Sequence, residues 1–577
     1  MLVFCIFLIL HFYDLYFLYL LLLEMVKIKL SISKHKHKNK HNTKNKTKHN
    51  KNKHNKNKHN KTKHNKTNKI CTISSNYLQS LIKPDLYNQY KKYIKNIATI
   101  FITSQNPLLN TIFNIKHNNQ NDSFSFNIKY KEEVFNEYTK IPNFIDIFRY
   151  LINIDSFNNK FTKDEQSILH KNLSTQNTKT SCYDFLDKSP LGNKLLTAYN
   201  SIRNDKTNII YMKLIEQFQS IEFYNLLINS FTSYKILEDL ELKITKLVTF
   251  SVTWKNHTYE NLIYLFMYDN SLDKSKYIKF GQQMFERIFF FNEFLNTNNM
   301  PDKFIIFLTD KKKEIDISVL SHVHFKTINI NTAVTNGVDI IIYREQELLK
   351  SIFHELIHFH KLDFRHIPDN IIKYLISTHN INNNNEYLLY ECVTESLANI
   401  LNNIYVSGTI NEFASNLESE ILFSTLQVAK ILSVCKYKSW SDFTDTTNTT
   451  MNTTMNTTVN KNKYNNNKTQ FKQDSCVFSY YILKFYILLN LDNYFKSVLD
   501  NKLKFIQDQK HFTNLTNIFD SSRSILILQK IMDNILSNLS KKRSTKSKNI
   551  SNKKYTKISK TLRMTCLENS LLNDNAI

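Results

Sequence analysis

Residues 351 to 360 read SIFHELIHFH and hold His354, Glu355 and His358 in the order H-E-x-x-H. On a helix, imidazoles four residues apart lie one turn from each other and can reach a single ion, and a carboxylate beside them is placed to move a proton. The chemistry suggested is metal-assisted hydrolysis with Glu355 as general base. In a chain with 19 histidines the word alone is only moderately specific, so its context has to decide.

Residues 347–361, set on a helix at about 100° per residue, separate into two halves. Leu348, Leu349, Ile352, Phe353, Leu356, Ile357 and Phe359 fill one half. His354 and His358 fall on the other with Glu347, Lys350, Ser351 and Lys361, so the histidines are expected to face a cleft or solvent rather than the core. A plain exposed helix is the competing reading. Asp363, His360 and His366 follow closely and read as an exposed helix end.

A tetrahedral zinc site needs a third protein ligand and leaves the fourth position for water. The metzincin solution requires glycine at 361 and histidine at 364, positions held by Lys361 and Phe364, and is excluded. A second helix can supply a glutamate instead. EYLLYECVTESLANIL, residues 386–401, places Glu391 and Glu395 with Asn399 on one face and Leu389, Val393, Leu397, Ile400 and Leu401 on the other.

H-E-x-x-H followed some 30 residues later by E-x-x-x-E resembles the gluzincin zinc metallopeptidases, over residues 325–405. HELIHFHKLDF is also similar to zincin-like proteins of large DNA viruses. The resemblance implies one Zn2+ per chain held by His354, His358 and Glu391, with Glu395 hydrogen-bonding a bound histidine. The reverse roles for the two glutamates stay open. It further implies a tyrosine or histidine that stabilises the oxyanion, for which Tyr480, Tyr481, Tyr486 and His511 are candidates. GVDIIIY, just before the motif, resembles the zincin edge strand that pairs with an extended peptide, although its continuous apolar run equally suits a buried central strand.

These residues must be positioned by a larger body. Strand-like runs begin at Lys243 with KITKLVTFSVTW, NLIYLFMY, KFIIFLTD, FKTININ and GVDIIIY, and the helical GQQMFERIFFFNEFL lies between the second and third. The expected class is α+β, with a zincin-like domain over 243–440 and a helical remainder over 471–540. Residues 70–242 repeat apolar positions at helical spacing and are expected to form a separate, mainly helical domain. Residues 441–470 are a low-complexity loop.

The net charge of +27 looks like a nucleic-acid binder until it is located, because 25 of those charges lie outside the body. The Lys/Asn/His-rich segment 25–69 and the tail 541–577 carry them and are expected to be disordered, with an acidic surface or nucleic acid as their partner. Residues 1–23 are apolar and long enough to span a bilayer. The segment 1–24 is then either an uncleaved membrane anchor or, if translation starts at Met25, not part of the protein. Seven scattered cysteines without a CxxC pair argue for reduced thiols and an intracellular setting, on the cytoplasmic face or in a virion. The expected function is peptide-bond hydrolysis in a peptide or protein substrate. The alternative is an inactive zincin-fold structural or binding protein, such as a virion component tethered by its basic tails.

Overall fold

The computed structural model describes residues 70–567 except 105–106, 122–126, 135–143, 204–207, 219–245, 268–273, 310, 316–323, 326, 365, 380, 382–386, 445–470, 474 and 545–557. The expectations for the leader 1–24, the segment 25–69 and the low-complexity run 446–468 lie outside the described residues. The architecture is α+β around one six-stranded mixed sheet, whose strands lie in the spatial order 127–134, 246–254, 257–267, 304–307, 340–342 and 333–335.

The strands are β1 (Asn127–Val134), β2 (Lys246–Trp254), β3 (His257–Met267), β4 (Phe304–Phe307), β6 (Ala333–Thr335) and β7 (Ile340–Ile342). A separate two-stranded ladder joins β5 (His324–Phe325) to β8 (Lys472–Gln473). β2 and β3 form an antiparallel hairpin whose turn, Lys255-Asn256, has positive φ at both residues, the geometry that matches strand twist in a two-residue loop. The helix Lys274–Leu295 then carries the chain across to β4, which pairs in parallel with β3 and with β7. That crossover helix lies close on the sheet because it presents Gly281 to Phe250: a Cβ there would stand 2.8 Å from the phenyl ring.

Side chains alternate between the two faces of the sheet, and each face has its own core. Val248, Phe250, Ile263, Leu265, Phe304, Ile306, Ile340 and Ile342 pack into the larger core with the crossover helix and the H-E-x-x-H helix. Leu247, Phe266, Ile305, Phe307 and Ile341 turn the other way, onto helices between Phe144 and Leu214. The central strands are apolar on both sides for this reason.

This arrangement changes the expected domain plan. Residues 70–242 do not stand apart: β1 pairs along its length with β2, and the helix Pro84–Thr103 buries Tyr90, Ile94 and Phe101 in the larger core. FKTININ is not a strand beyond its first residue, because Thr327–Ile330 is helical. GVDIIIY is not the edge either. β7 has β4 on one side and β6 on the other, and β6 is the edge strand. No helix among the described residues is long and apolar enough to cross a membrane.

The C-terminal region departs furthest from expectation. Residues 558–567 are not part of a disordered tail but a strap laid through the interior, with Ile558, Leu562, Met564, Cys566 and Leu567 buried. Leu562 donates its N–H to Lys313 O at 2.8 Å, and Ile315 donates to Lys560 O at 2.8 Å. The alternation of apolar residues at 562, 564 and 566 is the signal for an extended buried segment. The surrounding run of lysines conceals it.

Candidate metal centre

The H-E-x-x-H helix, Leu348–Phe359, sits on the sheet through Ile352, Phe353, Leu356 and Ile357. It starts from Glu347, which holds a left-handed backbone (φ 63°). That conformation is uncommon for a residue with a side chain. Here the glutamate is fixed from three sides: its carboxylate accepts from Lys313 Nζ at 2.6 Å and from the backbone N–H groups of Met564 and Thr565 at 2.5 and 2.8 Å.

The second helix, Tyr390–Val406, lies against the first and buries both of its acids. Glu391 Oε2 stands 3.3 Å from His354 Nε2 and 3.3 Å from His358 Nε2, and the two Nε2 atoms are 3.1 Å apart. His354, His358 and Glu391 thus converge as a buried group that could hold a metal ion. Although it sits between two imidazoles, Glu391 Oε2 has no partner with hydrogen-bond geometry among the described residues, as a ligand atom aimed at a cation would not.

Each histidine is oriented from behind. His354 Nδ1 donates to Glu395 Oε2 at 3.1 Å, and His358 Nδ1 donates to Asp363 Oδ2 at 2.8 Å. Both bonds place the proton on Nδ1 and leave the Nε2 lone pairs directed at the shared point. Asp363 is buried, contrary to the exposed helix end expected of it, because the chain turns back at Lys361 (φ 54°). His366 is exposed, and His360 is half-buried beside Phe291 and Phe359 with its pKa pushed down to about 4 by burial.

The polar half of the motif helix faces neither cleft nor solvent along most of its length. Glu347, Lys350 and Ser351 are buried with His354, because the strap and the second helix cover them. Lys350 Nζ bridges both carboxylate oxygens of Glu395 at 2.7 Å, and Met564 Sδ lies 3.7 Å from the same ammonium. A charged chain therefore runs from the strap to Glu347, which Lys313 pairs, and by the attraction between Glu347 and Lys350 on to Glu395 and His354.

Electrostatics follows from these contacts. Burial opposes the charge on His354 and His358, but Glu391 with Glu395 on one, and Glu391 with Asp363 on the other, outweigh it, so both imidazoles titrate above their ordinary value. Burial likewise raises Glu391 and Glu395, and the facing cations overturn that, holding both carboxyls well below the usual range. Glu355 goes the other way: burial raises it and the histidines offset this only in part.

No protein-family model, curated protein or solved structure matches the chain.

The candidate oxyanion donors separate cleanly. A π-helical turn, Phe478–Leu483, aims consecutive tyrosines in different directions. Tyr480 places its ring 5.9 Å from that of His354. Tyr481 instead donates its hydroxyl to Leu562 O in the strap, and Tyr486 is hydrogen-bonded to His379 Nε2 at 3.0 Å. His511 pairs with Asp508 at 2.6 Å at the start of its own helix. Tyr481, Tyr486 and His511 are thus committed elsewhere.

These contacts distinguish Asp363 from Glu395 by experiment. Asp363→Asn is expected to lower metal affinity by roughly 10–100-fold with little change in stability, the usual cost of losing an outer hydrogen-bond partner. Glu395→Ala strands Lys350 without its carboxylate, and breaking such a buried pair costs on the order of 3–5 kcal/mol. Chelator competition and denaturant unfolding on the two variants measure the two effects separately.

Proposed function

We propose that the protein is a zinc-dependent metallopeptidase of gluzincin type, built on a zincin-like fold. The observation that carries this reading is the triangle of His354 Nε2, His358 Nε2 and Glu391 Oε2, with sides of 3.1, 3.3 and 3.3 Å. Three ligands at about 2.0–2.1 Å from a tetrahedral zinc ion stand about 3.3 Å from one another. Two nitrogens and one oxygen suit zinc, whereas calcium and magnesium prefer all-oxygen sets.

A bound zinc ion would supply Lewis-acid polarisation of a carbonyl and activation of water near neutral pH. The chain's own groups do the rest. Glu395 and Asp363 hold the Nδ1 protons of His354 and His358 and so fix the ligand tautomers. Glu355, within the motif, accepts the proton of the attacking water on its carboxylate and returns it to the amine that leaves; its raised pKa suits both tasks. Tyr480 keeps its phenolic proton at neutral pH because burial pushes its pKa well up, so it can donate to the oxyanion. β6, antiparallel to β7 and unpaired on its outer side among the described residues, is the edge on which an extended peptide would add a strand.

The test is hydrolysis of an unfolded protein by the zinc-loaded chain beside Glu355→Gln. The variant is expected to retain its metal and lose about 10²–10⁴-fold in rate. Equal rates would remove Glu355 from the chemistry. Proton competition gives a second test. Because the carboxylates raise both histidines, protons hold the Nε2 atoms to a higher pH than in free imidazole, and zinc binding releases them. Zinc affinity is therefore expected to rise with pH through and above about 6.5, the ordinary histidine value, and to fall steeply below it. Isothermal titration in buffers of different ionisation enthalpy counts the released protons.

One observation favours the alternative, a zincin-fold binding protein without turnover. His354, Glu355 and Glu391 are only 7%, 3% and 7% exposed. Stoichiometric zinc with no hydrolysis of any unfolded substrate would support that reading.

A further inference from the structure

We propose that Cys71 and Cys566 are a disulfide-forming pair that ties the helical segment beginning near residue 70 to the C-terminal strap. Their Sγ atoms lie 2.9 Å apart although the residues are 495 positions apart in sequence. The Cys71 thiol also points at the Cys566 carbonyl, 3.6 Å away. The two share a small apolar cluster with Ile70, Phe423 and Leu567, separate from both main cores. The backbone is already held in place on the strap side, since Cys566 donates its N–H to Glu420 Oε1 at 2.8 Å. Cys182, by contrast, spends its thiol on the Asn172 carbonyl at 3.2 Å.

Oxidation needs an acceptor, and a small-molecule disulfide such as oxidised glutathione suffices. Cys71, 9% exposed against 0% for Cys566, is the entry point. Its thiolate attacks one glutathione sulfur, forming a mixed disulfide and expelling one glutathione thiolate. Cys566, deprotonated, then attacks the Cys71 sulfur and expels the second. Two protein thiols are oxidised, one small disulfide is reduced to two thiols, and the two protons pass to the leaving thiolates.

The bond would act on the strap. Cys566 is one residue beyond Thr565, which with Met564 holds Glu347 at the start of the motif helix. In the oxidised chain the end of the strap is pinned and the charged chain behind His354 stays closed. In the reduced chain the strap relies on hydrogen bonds and packing alone.

The experiment uses the full chain, incubated with oxidised glutathione, alkylated, digested without reduction and mapped by mass spectrometry. The expected result is one cross-linked peptide pair joining Cys71 to Cys566, absent after dithiothreitol and absent in Cys71→Ser. Amide hydrogen exchange over 564–567 is expected to slow by about tenfold on oxidation. Alkylated Cys71 and Cys566 in the unmutated chain, or cross-links spread over the other cysteines, would overturn the pairing whether or not Cys71→Ser folds. A cross-link that leaves the exchange rates unchanged would overturn the pinning.

Discussion

A chain ending at residue 557 is expected to lose the fold. The strap supplies backbone partners to four buried ionisable side chains on three separate elements. Besides Glu347, the carboxylate of Glu420 accepts from the N–H groups of Cys566 and Leu567 at 2.8 and 3.1 Å, and also from the Thr565 hydroxyl. Lys484 Nζ donates to Met564 O at 2.6 Å, and Lys430 Nζ donates to Ile558 O at 3.0 Å. Removing one partner of a buried charge costs on the order of 3–5 kcal/mol. Four such losses, with the apolar burial of Leu562 and Met564, exceed the roughly 5–15 kcal/mol that holds a native protein together. Circular dichroism and thermal unfolding of the shortened chain measure this, and a cooperative transition near that of the full chain would contradict it. The single change Glu347→Gln is expected to destabilise less, because the amide still accepts from the strap while Lys313, already lowered to about 8 by burial, loses its counter-charge.

The second large effect is expected at Glu391. Glu391→Ala removes a metal ligand yet strands no buried charge, because the two imidazoles it faces keep Glu395 and Asp363 as partners. The fold is expected to survive, and metal affinity to fall by more than the roughly 10–100-fold that losing an outer partner costs. Competition against a zinc chelator of known affinity gives the number. Retained affinity would show that Glu391 is not a ligand. Asp363→Asn and Glu391→Ala thus bracket the site from outside and inside.

Much of the site was legible in the sequence, for a physical reason. His354, His358, Glu391 and Glu395 sit on two regular helices, and a 3.6-residue period turns spacing into direction. The central strands were equally plain, because β2, β4 and β7 are buried on both faces and read as apolar runs. What sequence periodicity could not show was contact between segments far apart in the chain. Asp363 follows a turn rather than a helix, so no period aims it at His358. Lys350 and Glu347 look like an exposed polar face until the strap covers them, and the strap itself is hidden among lysines. β1, NIKYKEEV, is a charged strand with one neighbour at the rim of the sheet, and its polar side chains gave no strand-like run. Tyr480 and Tyr481 are adjacent in sequence and separated only by a π-helical turn.

Because the strap is part of the core, any protein sample for metal analysis must retain residues 558–567. The most direct measurement is zinc content by elemental mass spectrometry on the full chain, purified with zinc and dialysed, beside Glu391→Ala. The histidines of the segment 25–69 are common to both proteins, so the difference between them reports the site alone. One zinc ion more per unmutated chain than per variant chain is expected. Equal zinc in the two proteins, or none in either, would contradict it.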